Sequence, residues 1–197
     1  MKIFYDIKKE VDDYLSSKKI LVVKDVLIFI IITLTIHFLY RFWANKLDHR
    51  IFGLQIITPA IFNFFKHQLF LASLWVDVHL LGYQIKTAND TLFFTNNGYI
   101  SITAGCSGVK QFLQWILLML LFPGQWKHKA WFIPAGLIMI YLTNIFRIVG
   151  LSYITLHHPD IWHFSHDNIF RPLFYVVIFS MWVLWVEKFK TNKNKKV

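Results

Sequence analysis

The chain of 197 residues is too apolar for a soluble domain of that length. Hydrophobic residues make up 56% of it and aromatic residues 18%, which is more than one soluble core requires. The formal net charge is +10, but the lysines and arginines gather at the ends of apolar runs and form no basic face interleaved with aromatic residues, which argues against a nucleic-acid partner. We predict an integral membrane protein whose environment is the lipid bilayer.

Long apolar runs recur along the chain, and each has the length of a membrane helix once its polar flanks are included. The first 19 residues have mixed charge and are too polar for a secretory signal, so the first run is expected to remain as a span. The runs are Val26 to Tyr40, Phe112 to Phe122, Trp131 to Phe146 and Leu173 to Val186.

A fifth segment, Ile56 to Leu81, is long enough to cross the membrane but is not uniformly apolar. It carries Lys66, His67, Asp77 and His79, and charged side chains in a span face protein or water rather than lipid. We expect this segment to pack inward. The predicted fold class is therefore an all-α polytopic membrane protein with about five transmembrane helices.

Residues 82–103, between the second and third predicted helices, have the pattern of short strands. Three stretches rich in β-branched and aromatic residues are separated by two turns, of which Asn96-Asn97-Gly98 is a strong hairpin signal. We predict a small extracytoplasmic β-meander that delivers the chain to Cys106. Residues 1–197 are treated as a single domain, with a polar N-terminal segment (1–19) and a basic cytoplasmic tail (187–197).

The distribution of charge predicts the orientation of the later helices. The loop from His157 to Phe170 has no lysine or arginine, whereas five lysines follow Val186, so the positive-inside rule puts the tail in the cytoplasm. Cys106, Arg147 and His166 then lie on the extracytoplasmic side. The lysines of the N-terminal segment do not fit five simple crossings, so either neighbouring acids weaken the rule or the fifth segment does not cross simply.

Cys106 is the only cysteine, and it directly precedes an apolar helix. The unsatisfied amides and partial positive charge of a helix N-terminus favour a thiolate. The neighbouring glycines, Gly105 and Gly108, allow close approach of a reacting carbonyl. A buried, unreactive cysteine is the alternative, but this position predicts a nucleophile for acyl chemistry at the membrane surface.

Arg147 lies within an otherwise apolar span and shares a helical face with Asn144 and Thr143. An arginine there is a functional candidate and would stabilise a thiolate and an oxyanion at Cys106. Snorkelling to the headgroups and phosphate binding are alternatives. A histidine would protonate the leaving amine, and His166 is the first choice from the loop.

Two other functions fit parts of the sequence. A transporter or channel component would line a polar pathway with Arg147, Lys66 and Asp77, although no inverted repeat supports this. A metalloprotein would use the loop histidines, because imidazole is a common ligand of transition metals. The loop side chains for such a site are His157, Asp160, His163 and His166.

The stretch Ala104 to Gly108 opens one span, the stretch Asn144 to Arg147 lies in the next, and a histidine follows later in the chain. In these features the sequence resembles the exosortase and archaeosortase family of membrane cysteine transpeptidases. The resemblance covers roughly residues 80 to 190, and the short length resembles the compact exosortases such as the F type. It implies that Cys106 is the nucleophile and Arg147 its electrostatic partner, with His166 as the third member and His163 or Arg171 as alternatives.

The resemblance also implies the substrates and the location. Substrates would be exported proteins that end in a short recognition motif, a transmembrane helix and a basic tail. The enzyme would be a multi-pass protein of the cytoplasmic membrane with an extracytoplasmic active site, and it would need no cofactor or metal.

Overall fold

The computed structural model describes residues 18–46 and 57–190, with side chains for residues 23–42 and 59–189. Residues 1–17 of the predicted polar segment and residues 191–197 of the predicted basic tail lie outside the described residues. The described part is about 80% helical. Its long helices are α1 (Lys18–Lys46), α2 (Ile57–Trp75), α3 (Val109–Leu121), α4 (Trp126–His157) and α5 (Arg171–Trp185).

Four stretches of the described residues are long and apolar enough to cross a membrane. Each overlaps one of the four apolar runs predicted from the sequence, which confirms a membrane protein of several helices. The helix α2 is not among these stretches, so a fifth crossing stays a prediction. The four stretches are Val23–Phe42, Ala104–Leu121, Trp126–His157 and Pro159–Phe189.

One apolar core joins α1, α3, α4 and α5 in the half of the bundle away from Cys106. Trp115 of α3 is fully buried, and its indole N–H donates to the carbonyl of Ile133, 3.1 Å away. The ring fits because α4 has Gly136 opposite, where a Cβ would lie 2.1 Å from the indole nitrogen. Truncation of such a ring costs about 3–5 kcal/mol, so this contact fixes the approach of α3 to α4 beneath the candidate site.

The predicted meander is confirmed as a three-stranded antiparallel sheet in the order β1-β2-β3. Its strands are β1 (Lys86–Ala88), β2 (Thr91–Phe93) and β3 (Tyr99–Ser101). Asn89 and Asp90, at the first turn, both have positive φ angles, a conformation that asparagine and aspartate tolerate better than most residues.

The sheet packs on α4 through a second apolar core. Leu92 and Ile100 are cross-strand partners, and both are buried. They share this core with Ile148 and Leu151 of α4, and Cys106 packs against its edge. Burial of these alternate strand residues thus places the end of the sheet, and the chain that leaves it, beside α4.

The two N-terminal helices run in the same direction, toward the end of the bundle that holds Cys106. In α1, the ring of Phe29 lies 4.6 Å from that of Trp182, far along α5, whereas Tyr40 lies beneath the ammonium of Lys110 beside Cys106. In α2, Gln68 accepts a hydrogen bond from Tyr141 of α4. Nine residues later, Asp77 meets a serine further along the same α4 helix, so α2 and α4 are parallel.

Candidate active site

The backbone around Cys106 makes two sharp changes of direction before α3 begins. Residues Ala104–Cys106 form one turn of 3₁₀ helix, and Gly108 then adopts a φ of 80° as the residue before α3. Gly108 has a second reason to lack a side chain, because a Cβ there would lie 2.9 Å from Nδ2 of Asn144. The glycine therefore lets the Cys106 turn approach α4 directly.

Arg147 and Cys106, 41 residues apart in the chain, are in contact. The Nη2 atom of Arg147 lies 3.6 Å from Sγ of Cys106. The arginine is only 8% exposed, and its Nε atom is buried without a hydrogen-bond partner. Among the residues that the structure describes, no carboxylate pairs with this guanidinium, so its charge is available to an anion formed at the sulfur.

Asn144, one turn before Arg147, holds the Cys106 backbone in place. It is fully buried, and its side-chain amide donates to the Cys106 carbonyl oxygen at 2.8 Å. Sequence reasoning placed Asn144 on the same helical face as Arg147 but gave it no role. The three-residue spacing was the available signal, since residues three apart on a helix reach the same neighbour.

Thr103 is a second residue that sequence reasoning missed. Its Oγ1 atom lies 3.6 Å from Sγ of Cys106, where either atom can be the donor. The tight turn that brings them together also consumes backbone amides. The amide of Cys106 donates to the Thr103 carbonyl, and the amide of Ser107 donates to the Ala104 carbonyl.

These turn hydrogen bonds determine which groups can stabilise an oxyanion. The sequence predicted unsatisfied helix N-terminal amides beside Cys106, but the Ser107 amide is already occupied within the turn. The Arg147 guanidinium has unused N–H donors beside the sulfur. It is therefore well placed to bind negative charge that develops on a carbonyl attacked by the sulfur.

His166 lies in the helical segment between α4 and α5. Its Nδ1 atom is 2.7 Å from a carboxylate oxygen of Asp167, and its ring stacks on Trp162 with the ring centroids 5.0 Å apart. A carboxylate only accepts hydrogen bonds, so Nδ1 carries the proton and Nε2 of the neutral ring is left as a base.

The structure does not join His166 directly to the Cys106 and Arg147 pair. Within the described residues, Asp167 is its hydrogen-bond partner, and the connection to Cys106 is indirect. Trp162, on which the imidazole stacks, packs against the same apolar core as Cys106. The alternative third residue, Arg171, is 64% exposed and pairs with Asp167 at 3.1 Å.

The residues expected to line a transport pathway have separate partners. Lys66 forms an ion pair with Asp90 of the sheet at 2.9 Å, whereas Asp77 is fully buried and accepts a hydrogen bond from Ser152 at 2.7 Å. The metal interpretation of the histidine loop gains no geometric support either, because the described residues contain no group of three or more histidine, cysteine or acidic side chains that could hold an ion.

Comparison with known proteins agrees with the resemblance seen in the sequence. A family model described as transmembrane exosortase matches residues 56–186. The matched region is well over half of the chain and contains Cys106, Arg147 and His166. No curated protein and no solved structure matches the chain. On the strength of the family match, the chain belongs to the transmembrane exosortases.

Proposed function

We propose that this protein is a membrane-embedded cysteine peptidase and transpeptidase that cleaves C-terminal sorting signals of exported proteins. The observation that supports this most is the 3.6 Å contact between Nη2 of Arg147 and Sγ of Cys106. A buried guanidinium that has no carboxylate partner among the described residues, beside the only thiol of the chain, suits a thiolate nucleophile. Within the family, the proposal is a compact exosortase of the F type.

In the proposed first step, the proton of Cys106 passes to Nε2 of His166 through water, because the two side chains are not in direct contact, and the sulfur attacks the carbonyl carbon of the scissile peptide bond. Arg147 binds the oxyanion of the tetrahedral intermediate. The carbon–nitrogen bond then breaks, and the imidazolium returns the proton to the leaving amine. The products are a thioester on Cys106 and a released C-terminal segment.

In the second step, an acceptor with an N–H or O–H group attacks the thioester carbonyl. His166 accepts the acceptor's proton, and the carbon–sulfur bond breaks to release the acyl product. The proton returns to the sulfur, so Cys106 is regenerated without a cofactor. Water as the acceptor gives hydrolysis, whereas an amine or hydroxyl gives transpeptidation or esterification.

We further propose that the site lies on the extracytoplasmic side of the cytoplasmic membrane and that the whole chain forms one domain. The direction of α1 supports this proposal, because the helix begins at the side of the bundle opposite Cys106 and the sequence before it is rich in lysine. Fast labelling of Cys106 by an impermeant thiol reagent on intact cells would support an extracytoplasmic site. Labelling only after permeabilisation would reverse the topology.

Replacement of the nucleophile tests the proposed function. In cells that carry Cys106→Ala, we expect membrane proteins with a C-terminal helix and basic tail to keep their full length, because no thioester forms. Mass spectrometry of C-terminal peptides measures this, with Thr87→Ala on the exposed β1 strand as the control. Unchanged processing in the Cys106→Ala cells would exclude Cys106 as the nucleophile.

A further inference from the structure

An apolar groove opens on the side of the bundle between α2, α3 and α4. Its volume is about 580 Å³, within the range of sites that bind ligands of several hundred daltons. Each of the three helices contributes apolar surface to the walls. Its walls include Gln68, Val109, Phe112, Leu113, Ile138 and Tyr141.

The groove begins next to the candidate nucleophile. Val109, the first residue of α3, lines it and follows Cys106 by three positions. On α4, Tyr141 lines the groove one turn before Asn144, which binds the Cys106 carbonyl. One helical turn advances about 5.4 Å, so a molecule in the groove would have one end within reach of the sulfur.

The side-chain carboxamide of Gln68 gives the groove a polar group, and a lipid acyl chain could not form hydrogen bonds with it. Its backbone carbonyl accepts from Tyr141, but its side-chain carboxamide has no hydrogen-bond partner among the described residues. A carboxamide in an apolar environment needs both a donor and an acceptor opposite. A lipid tail provides neither, whereas a peptide backbone provides both.

A substrate peptide would need such a partner at this position. A peptide bond inside a helix is shielded from attack, so the chain near Cys106 must be extended, and its freed backbone groups need hydrogen bonds where water is scarce. Beyond that point, the substrate passes along the walls formed by Phe112, Leu113 and Ile138, which only an apolar segment would favour.

We infer that this groove binds the apolar segment on the C-terminal side of the scissile bond, with the Gln68 carboxamide paired to the backbone where that segment begins. The inference rests on the proposed function and adds a location for the leaving segment. The groove therefore selects membrane-anchored peptides by their apolar segment rather than by the recognition motif.

Because Cys106 is the only cysteine, its alkylation reports occupancy of the groove. The probe is a synthetic peptide with an N-terminal bromoacetyl group, 20 alternating leucines and alanines and a tail of three lysines. The full-length protein in liposomes is treated with this peptide, with a hexadecyl bromoacetamide or with iodoacetamide. Intact-protein mass spectrometry gives the three rates.

Leu113→Trp obstructs the groove, and Leu120→Trp is its matched control. The two leucines are 37% and 40% exposed on the same helix, but Leu120 lies two turns further from Cys106 and outside the groove. We expect Leu113→Trp to slow the peptide probe about ten-fold, equivalent to about 1.4 kcal/mol, with iodoacetamide unaffected. Gln68→Leu should slow the peptide probe by a similar factor and leave the hexadecyl probe unchanged.

Equal peptide rates in the two tryptophan variants would overturn the inference. Slowing of the hexadecyl probe but not the peptide would also overturn it and would identify a lipid site instead. The iodoacetamide rate shows that each variant is folded around Cys106. If the groove variants leave the peptide-probe rate unchanged while substrate processing still depends on Cys106, only this inference fails. If Cys106→Ala processes substrates normally, the proposed function fails.

Discussion

Arg147 is buried in the helix bundle, where a charge without a counter-ion costs free energy. The cation–π contact with Phe174, at 5.9 Å from the ring centroid, compensates only part of that cost. A carboxylate partner would relieve it, but the described residues provide none. The cost is relieved when the thiol ionises or an oxyanion forms, which is the condition for differential stabilisation of a transition state.

Arg147→Gln should slow alkylation of Cys106 by iodoacetamide at neutral pH. A unit charge about 4 Å away stabilises an anion by roughly 4 kcal/mol at an effective dielectric constant of about 20. Even one third of that energy would change the alkylation rate about ten-fold. Arg147→Lys should retain part of the rate, and Arg41→Gln, an exposed arginine of α1, serves as the control. Equal rates in Arg147→Gln and the parent protein would refute the electrostatic role.

Comparison of His166→Gln with Arg171→Gln separates the two candidates for the third residue. A proton donor typically contributes about 10²–10⁴-fold to the rate, so we expect substrate cleavage to fall at least about 100-fold in His166→Gln. Arg171 is exposed and pairs with Asp167, and its loss should cost less than about ten-fold. Alkylation of Cys106 should continue in both variants. The reverse order of activities would assign the role to Arg171.

At the scale of elements, the sheet is held against the helices at both of its turns. Asp90, at the first turn, pairs with Lys66 and His67 of α2 at 2.9 and 2.8 Å. Asn96, at the second, donates its side-chain amide to the Thr155 carbonyl near the end of α4 at 2.7 Å. The latter bond satisfies one of the last carbonyls of the helix. Together they fix the path by which the chain reaches Cys106.

Acid should loosen the first of these attachments. Partial burial acts to raise the pKa of Asp90, but the hydrogen bonds and charges of His67 and Lys66 outweigh it and lower the pKa below the usual 3.8. The stabilisation is therefore complete above that value and is lost as the pH falls through the lowered pKa. The measurement is amide hydrogen exchange of β2 as a function of pH, with the rates corrected for the intrinsic pH dependence of exchange. We expect protection of β2 to fall with acid.

Asp90→Asn is the control for that measurement. We expect it to reduce the protection of β2 at neutral pH and to abolish the acid-dependent loss, because the titrating carboxyl is gone. Protection that falls equally with acid in both proteins would show that another group is responsible.

The elements themselves were largely predictable from the sequence. Apolar length identified the four stretches that can cross a membrane, and the Asn-Asn-Gly turn identified the sheet. The direction of α2 was not predictable, because the side chains that seemed costly there find partners far along the chain. Lys66 pairs with the sheet, and Asp77 is buried against Ser152.

The candidate site was predictable only in part, for a related reason. The cost of a charge in a span marked Arg147 as a candidate, and the positive-inside rule predicted that it and Cys106 lie on the same side of the membrane. The contacts of Asn144 and Thr103 with Cys106 depend on the left-handed conformation of Gly108 and on the rotation of α4 about its axis. Neither quantity follows from periodicity.

At the scale of the whole molecule, the described residues pack around two apolar cores, one in the half away from Cys106 and one in the half that holds it. Large aromatic rings such as Trp115 and Trp185 are fully buried in the half away from Cys106. The other half combines the sheet, the Cys106 turn and the open groove beside α3. This division suits the proposed peptidase, because the proposed route of a membrane-bound peptide lies beside the second core and leaves the first one intact.

Detection of the thioester tests the central claim most directly. Membranes containing the protein and a processed substrate are quenched with acid during turnover, and the peptide that contains Cys106 is analysed by mass spectrometry with and without hydroxylamine. We predict an acyl adduct on Cys106 that hydroxylamine removes and that is absent in Cys106→Ala. Turnover of the substrate with no hydroxylamine-sensitive adduct on Cys106 would contradict the account.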